Sequence, residues 1–308
     1  MEILLQLLLL AAGFFMLGKG ADWFVEGAAG IAARLGIPPL VIGLTIVAMG
    51  TSAPEAAVSI TAAMHGNADI TIGNIVGSNI INVLVILGLA SVITPLLVDQ
   101  STVRIDTPFM IGITGLLLFQ GRDGVISLSD GFILCIVFAA YMFYLFRVAI
   151  QAQIPESEEI KELSISKAVL LTVAGLGVII AGSNVTVSAA TKIALFAGMS
   201  ERFIGLTIVA LGTSLPELFT SVSAARRGEA DIAIGNIVGS NVFNILFVVG
   251  LSSLIIPVPF AGSFVKDTII ALAAGVLLLL CVFRDNRLHR WGGAVLLLGY
   301  AAYFWSIL

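Results

Sequence analysis

Residues 43–55 read Gly43-Leu44-Thr45-Ile46-Val47-Ala48-Met49-Gly50-Thr51-Ser52-Ala53-Pro54-Glu55. The segment starts as an apolar stretch of the kind that crosses a membrane, and it then places two hydroxyls, a proline and a carboxylate where hydrocarbon is expected. Pro54 has no N–H to donate to the carbonyl of Gly50, so the sequence predicts a helix that breaks here. Within a membrane, broken backbone is tolerated only inside protein or beside a water-filled cavity.

A bound cation would compensate for both irregularities of this segment. A carboxylate near the middle of a bilayer costs about 2.5–3.5 kcal/mol on insertion scales. The carbonyl that the proline leaves free is an oxygen in need of a partner. We therefore predict a cation site formed by freed carbonyls, by the hydroxyls of Thr51 and Ser52, and by the carboxylate of Glu55.

The chain contains this site twice. Residues 42–55 and 204–217 are identical at 12 of 14 positions, and a second segment, Gly-Asn-Ile-Val-Gly-Ser-Asn, occurs unchanged at 73–79 and 235–241. Both repeats have the same offset along the chain, which indicates the duplication of one larger unit. We call two positions related by this offset equivalent. In the second copy the predicted site residues are Thr213, Ser214 and Glu217.

The composition is that of a membrane protein. Of the 308 residues, 59% are hydrophobic and only 11% are charged, whereas a soluble domain has about 25% charged residues. The mean hydropathy is +1.10. We expect an all-α protein embedded in the lipid bilayer. The net charge of −4 offers no basis for binding nucleic acid, and Cys135 and Cys281 lie in apolar runs that predict packing and no disulfide.

Apolar runs long enough to span a membrane predict ten transmembrane helices. The first run can extend as a tilted helix through Lys19, Asp22 and Glu26 towards Arg34. The runs are centred on residues 3–20, 38–62, 70–94, 106–120, 129–149, 168–185, 202–224, 231–256, 264–283 and 291–307.

The basic residues of the loops predict the orientation. Loops after odd-numbered spans contain ten Lys or Arg residues and loops after even-numbered spans contain four. Because basic loops stay in the cytoplasm, we expect a multi-pass protein of the cell membrane with both termini outside.

Each copy of the duplicated unit contains five predicted spans. Because five is odd, the second copy must enter the membrane in the opposite sense, which predicts two inverted-topology five-helix repeats around a site near the midplane. The predicted units are a first repeat, a cytoplasmic linker and a second repeat, at residues 1–150, 151–167 and 168–308. Their ion motifs are at 42–55 and 73–82, and at 204–217 and 235–244.

The third and eighth spans each add a stripe of polar residues. Positions four apart share a helix face, so the stripes consist of Asn74, Ser78 and Asn82, and of Asn236, Ser240 and Asn244. Four of these could face the glutamates: Ser78, Asn82, Ser240 and Asn244. Close helix packing with interhelical amide bonds is the alternative, and it applies most to Asn74, Asn79, Asn236 and Asn241.

If the halves fold as an inverted pair, Glu55 and Glu217 meet in a cage of oxygens. Ca²⁺ takes six to eight oxygen ligands in irregular geometry, and the neutral hydroxyl oxygens also suit Na⁺. Softer metals would need Cys or His ligands, but His65 and His289 lie in predicted loops. Without a cation, two bare carboxylates would face each other in low dielectric. We expect this cost to favour exchange over leak.

Two copies of Gly-Thr-Ser-x-Pro-Glu, each followed by Gly-Asn-Ile-Val-Gly-Ser-Asn, resemble the alpha-repeats of the cation/Ca²⁺ exchanger superfamily, and of prokaryotic Na⁺/Ca²⁺ exchangers in particular. The resemblance covers nearly the whole chain. It implies that Ca²⁺ and Na⁺ are bound by Glu55 and Glu217, by the four motif hydroxyls and by Ser78 and Ser240. The carbonyls of Ala48 and Ala210 stand at positions that resemble Na⁺ ligands of the family. The resemblance also implies that the first and sixth helices slide as a gate across a more rigid core.

One position departs from the family pattern. Relatives often have aspartate at the position of Asn244, whereas here both Asn82 and Asn244 are amides. The site therefore has two formal charges and no third acid that could take a proton, so the ion stoichiometry of the family is not inferred for this chain. The Ca²⁺/H⁺ branch usually has Gly-Asn-Ala-x-Glu, so the hydroxyl pairs favour Na⁺ as the counter-ion. K⁺-dependent relatives tend to have aspartate in the motif, which disfavours K⁺.

The leading hypothesis is an antiporter that moves Ca²⁺ out of the cell against inward Na⁺ by alternating access. We expect no enzymatic activity and no cofactor, and a functional monomer. The alternatives are Ca²⁺/H⁺ exchange through protonation of Glu55 and Glu217, and a cation channel. On the first helix, Lys19, Asp22 and Glu26 share a face. They either mark its snorkelling cytoplasmic end, or line an inner vestibule and pair differently in two gate states.

Overall fold

A computed structural model describes residues 2–151, 163–199 and 210–307. Within these ranges the chain is almost entirely helical, with four strands of two residues each. Most of the predicted linker, 151–167, lies outside the described residues, and so do the start of the seventh predicted span and the repeat segment 204–209.

The first half begins with the 34-residue helix α1 (Glu2–Leu35), so the first apolar run does extend as far as Arg34. Three π-helical turns interrupt the following helices, at Gly43–Val47, Asn82–Leu87 and Thr102–Asp106, and a short 3-10 turn covers Gly121–Asp123. The other helices of this half are α2 (Pro39–Ile42), α3 (Ala48–Thr51), α4 (Ala53–Met64), α5 (Asp69–Ile81), α6 (Gly88–Ile93), α7 (Thr107–Gln120) and α8 (Leu128–Gln151).

The second half begins with α9 (Ile165–Phe196), which is longer than the predicted span 168–185 because it also includes polar flanks. Its N-cap is Ser164, whose hydroxyl oxygen accepts from the N–H of Lys167. The other described helices are α10 (Ala210–Thr213), α11 (Leu215–Arg226), α12 (Ala230–Phe243), α13 (Gly250–Ile255), α14 (Gly262–Val282) and α15 (Arg290–Ile307). A π-helical turn at Asn244–Val249 joins α12 to α13.

The protein is a multi-pass helical membrane protein. Seven of the described helices are long and apolar enough to cross a membrane, and a bent pair, Pro39–Thr51 with Ala53–Met64, forms an eighth candidate span. Burial separates central from peripheral spans. In the span Ala230–Ile255, 94% of the apolar window is buried, against 17% in Leu128–Gln151, so the first lies in the core and the second at the periphery of the chain.

Helices α1 and α9 form a closely packed antiparallel pair, because glycines line the contact. A Cβ on Gly20 would lie 3.0 Å from the carbonyl oxygen of Gly175, and a Cβ on Gly13 would lie 3.1 Å from that of Gly182. Gly13 and Gly175 are equivalent positions, and so are Gly20 and Gly182. The same contact is thus made twice, with the two halves exchanged.

The strand pairs also recur with the two halves exchanged. Leu96–Leu97 pairs antiparallel with Arg287–Leu288, and Val125–Ile126 pairs with Val258–Pro259. Each strand is equivalent in position to a strand of the other pair. These clips join loops of one half to loops of the other. The sequence does not predict them, because two residues are too few for a strand pattern.

The close α1–α9 contact predicts the effect of Gly175→Ala. The new Cβ would lie 2.5 Å from the backbone nitrogen of Phe24, so the helices must separate. We expect a loss of about 1–3 kcal/mol of stability, as in overpacked cores. Thermal unfolding of the purified protein in detergent measures it. The control is Gly177→Ala, whose Cβ would have no neighbour within 4 Å; an equal loss in the two variants would contradict the prediction.

Candidate cation site

Both repeated motifs contain a helix break at the serine that precedes the proline helix. Ser52 separates α3 from α4 with φ −82° and ψ 5°, and Ser214 separates α10 from α11 with φ −89° and ψ 4°. Each proline lies in the first turn that follows, where its missing N–H is tolerated. In the first half the two segments are bent by 51°. Each glutamate therefore lies in the first turn of a helix, where the macrodipole favours a carboxylate.

The two glutamates lie together although they come from different halves. Glu55 and Glu217 are both 1% exposed and are close enough for electrostatic repulsion between their carboxylates. Ser52 Oγ donates to Glu217 Oε1 over 2.8 Å, so the broken helix of the first half contacts the carboxylate of the second. On the other side, Thr213 and Ser78 are hydroxyl neighbours of the Glu55 carboxylate.

Several buried oxygens around the glutamates have no hydrogen-bond partner within the described residues. Isolated polar atoms in an apolar core are costly, and native structures rarely leave them unpaired. Six such oxygens come from site residues predicted from the sequence: both carboxylate oxygens of Glu55, Oε2 of Glu217, Oγ of Ser214, and the Oδ1 atoms of Asn82 and Asn244. The set fits a hard cation, which takes oxygen ligands.

The remaining neutral oxygens lie next to this cluster. Thr51 Oγ1 lies 3.2 and 3.3 Å from the carbonyls of Val47 and Ala48, and 3.0 Å from Asn236 Oδ1. The carbonyl of Ala48 accepts from the N–H of Ser52 at 3.0 Å and from the hydroxyl of Ser240 at 3.4 Å. Ala210 is the first residue of α10, at the corresponding place in the second half.

Two further asparagines anchor the glutamate helices. Asn74 Nδ2 donates to Ser59 Oγ at 3.0 Å and to the carbonyl of Glu55 at 3.3 Å. In the second half, Asn236 Nδ2 makes the same bonds to Ser221 Oγ, at 2.9 Å, and to the carbonyl of Glu217, at 3.4 Å. For these two residues the interhelical amide bonds of the alternative hypothesis are present. The two serines were not predicted from the sequence, although they too occupy equivalent positions.

The chemistry of the site is that of oxygen alone. Among the residues that the structure describes, no three His, Cys, Asp or Glu side chains come together. The cluster thus has two acids and otherwise neutral hydroxyl, amide and carbonyl oxygens, a donor set that suits Ca²⁺ and Na⁺ and not the softer transition metals.

An ion-pair group lies between α1 and the end of α11. Arg227 Nη1 is 3.5 Å from Glu26, Arg227 Nε is 3.7 Å from Asp22, and Ser223 Oγ donates to Asp22 over 2.7 Å. We call these four residues the latch. Two of the acids that the sequence placed on one face of the first helix thus contact a neighbouring helix, and their partner Arg227 was not predicted.

The proximity of the two carboxylates predicts the behaviour of Glu55→Gln without bound cations. Removing one charge relieves the repulsion in a low-dielectric core, so the variant should melt at a higher temperature than the parent in cation-free buffer. Ca²⁺ should stabilise only the parent, by about 2.7 kcal/mol at 100 times its dissociation constant. Thermal unfolding with and without Ca²⁺ measures both effects. Glu229→Gln, outside the site, serves as the control, and a Ca²⁺-dependent shift retained in Glu55→Gln would contradict the prediction.

Comparison with known proteins identifies the family. The family model described as sodium/calcium exchanger protein matches residues 5–147 and 167–308. The chain is 38% identical to the putative antiporter CaxA of Alkalimonas amylolytica, with 98% of both chains covered. It is 32% identical to the sodium/calcium exchanger MaX1 of Methanosarcina acetivorans, again with 98% of both covered.

The solved structures lead to the same family. The sodium-calcium exchanger NCX_Mj, soaked with 10 mM Na⁺ and no Ca²⁺, superimposes with a TM-score of 0.88 at 31% identity, covering 99% of this chain and 100% of the other. The same exchanger soaked with 2.5 mM Na⁺ and 0.1 mM Ca²⁺ gives a TM-score of 0.87. The chain belongs to the sodium/calcium exchanger family.

Proposed function

We propose that the protein exchanges Ca²⁺ for Na⁺ across the cell membrane as a secondary antiporter. The observation that carries the proposal is the pair of buried glutamates, one from each half, among oxygens that lack hydrogen-bond partners within the described residues. Family membership supports the same function. One chain contributes both halves of the site, so a monomer suffices.

The site supports coupling between the two ions. Two carboxylates neutralise one Ca²⁺, and the hydroxyl and carbonyl oxygens around them offer positions for Na⁺. Because these positions share the same glutamates, the two ions compete. With neither ion bound, two like charges would face each other without water, and a change of access in that state is disfavoured. Uncoupled transport is suppressed for this reason.

The architecture that we propose is a pair of inverted five-helix repeats with ten membrane spans. The reciprocal glycine and strand contacts support it, because contacts that recur with the halves exchanged are typical of a two-fold relation. The excess of basic residues in the loops after odd-numbered spans supports a cytoplasmic location for the C-terminal end of α1, at Arg34, and for the residue after α11, Arg227. Both termini then lie outside the cell.

We further propose that the structure represents the state open to the outside. A groove of 510 Å³ runs along α4 and is lined by Ala57, Thr61 and His65, among others. The equivalent positions of the second half are Phe219, Ser223 and Arg227, which contact α1 through a ring contact with Phe14 and through the latch. Helix α1 thus covers this face of α11, whereas the equivalent face of α4 is open. Sliding of α1 and α9 would close the groove and open the latch.

Transport into proteoliposomes tests the function. Ca²⁺ should enter vesicles that are preloaded with Na⁺, with the membrane potential clamped, and should not enter in response to K⁺ or to a pH gradient alone. Glu55→Gln and Glu217→Gln should each abolish uptake, since each removes a charge that Ca²⁺ needs. Ser91→Ala should transport normally, because Ser91 is a buried serine whose only hydroxyl hydrogen bond within the described residues is to the carbonyl of Gly88, in its own helix.

Two results would contradict the proposal. Uptake driven by pH alone would make the proton the counter-ion. Full-rate Ca²⁺ flux with no counter-cation would indicate a channel.

The latch predicts a shift in access for Arg227→Gln. Its ion pairs are more than one-third exposed, and such pairs contribute up to about 1 kcal/mol. Their loss should lower the equilibrium constant that favours the outward-open state by up to about fivefold, and the labelling rate of a Thr61→Cys thiol in the groove should fall with the share of that state. The reagent is a membrane-impermeant maleimide, and Cys135 and Cys281 are first replaced by alanine.

The matched control is Arg226→Gln, at a position that forms no ion pair within the described part of the chain. It removes the same charge from the adjacent residue and should leave labelling unchanged. Equal labelling rates in both variants would show that the latch does not influence access.

A further inference from the structure

Four asparagines form a connected set of hydrogen bonds where the two halves meet. We call Asn79, Asn82, Asn241 and Asn244 the quartet. Each is at most 3% exposed. Asn79 lies on α5 and Asn241 on α12, while Asn82 and Asn244 begin the π-helical turns that follow these helices.

Two backbone carbonyls set the direction of the first two amides. Asn79 Nδ2 donates to the carbonyl oxygen of Asn241 at 3.2 Å, and Asn241 Nδ2 donates to that of Asn79 at 3.2 Å. A carbonyl oxygen only accepts hydrogen bonds, so the group that faces it must be the amide NH₂. The Oδ1 of each residue therefore points the other way.

That direction is transmitted to the other two amides. Asn82 Nδ2 donates to Asn241 Oδ1 at 3.0 Å, and Asn244 Nδ2 donates to Asn79 Oδ1 at 3.1 Å. Because an amide Oδ1 also only accepts, Asn82 and Asn244 must present their NH₂ groups to it. Their own Oδ1 atoms then lie on the opposite side, where both are buried and without a hydrogen-bond partner in the described residues.

The two turns that carry the free oxygens pack against the glutamate helices. The turn that begins at Asn244 packs against α4, whose first turn contains Glu55, and the turn that begins at Asn82 packs against α11, whose first turn contains Glu217. An amide that turned over would present NH₂ to this space and repel a cation. An aspartate would present an oxygen in either orientation. The orientation of these side chains therefore affects cation binding only because both residues are amides.

We propose that Asn79 and Asn241 are positioning residues that hold Asn244 and Asn82 with their carbonyl oxygens towards the transported cation. The inference rests on the proposed function and assigns cation selection to two residues that do not themselves face the ion. It predicts that replacing a positioning residue lowers the Ca²⁺ affinity only while the residue that it orients is an amide.

A double-mutant cycle tests the inference. Asn79→Ala should weaken Ca²⁺ binding by about three- to tenfold, the effect of losing one neutral hydrogen bond. In an Asn244→Asp background the same change should alter Ca²⁺ affinity by less than about twofold, because both carboxylate atoms are oxygens. Ca²⁺ is titrated calorimetrically into purified protein in Na⁺-free detergent, and thermal unfolding without Ca²⁺ checks that each variant is folded.

The second half offers the same test independently, with Asn241→Ala and Asn82→Asp, so that one poorly folding variant does not decide the result. Crossed combinations are the matched controls. Asn79→Ala with Asn82→Asp adds the same charge, but Asn79 does not orient Asn82, so the loss of affinity should persist.

The outcomes separate the two proposals. Equal losses of affinity in the amide and aspartate backgrounds would overturn the positioning role and leave the exchanger function intact. Failure of the parent protein to bind Ca²⁺ at all would count against the proposed function, and the positioning inference would fall with it. The inference is supported if the loss of Ca²⁺ affinity disappears when Asn79→Ala is combined with Asn244→Asp, or Asn241→Ala with Asn82→Asp, and persists in the crossed combinations.

Discussion

The repulsion between Glu55 and Glu217 is the constraint on which the other features depend. Each carboxylate is buried and begins a helix that the preceding motif has broken. Neither would be stable there as an isolated charge. The broken helices supply hydroxyls and carbonyls, the asparagines hold the helix starts, and the glycines let the backbones approach. Family membership and this arrangement both lead to cation exchange.

The buried core and the helices that we propose as the gate differ in how they are packed. The spans that begin with α5 and α12 are largely buried and contact the other half through amides and glycines. Helices α1 and α9 contact each other closely, whereas the latch that fastens α1 to α11 is partly exposed. Exposed ion pairs are weak. Weak ion pairs beside a closely packed core are compatible with the gate movement that we propose.

Much of the site could be predicted because its signals are local. Proline after two hydroxyls and before a glutamate predicts the helix break and the buried acid from chemistry alone, and the structure has a break at both serines. The extension of α1 to Arg34 also followed from the apolar pattern. The four-residue spacing placed Asn82 and Asn244 on a stripe, and both have a buried, unpartnered oxygen among the residues that the structure describes.

The features that escaped prediction are those that depend on contacts between distant residues. Arg227 has no local signal that links it to Asp22, which lies in the other half of the chain. The π-helical turns at Asn82 and Asn244 also escaped prediction, because such turns are rare and the sequence analysis used no signal for them. For Asn79 the sequence suggests interhelical amide bonds as an alternative, but its sequence neighbours do not reveal that its partner is Asn241 in the other half.

The reciprocal contacts also bear on how such a chain could arise. A polypeptide of half the length would find, in a second copy of itself, a partner for each glycine crossing and each strand clip. What it would not find is the latch, since Asp22 and Glu26 have no acidic counterparts at Asn184 and Ser188. In a fused chain the two copies can differ in sequence, so an ion-pair group can occur in one half without an equivalent group in the other.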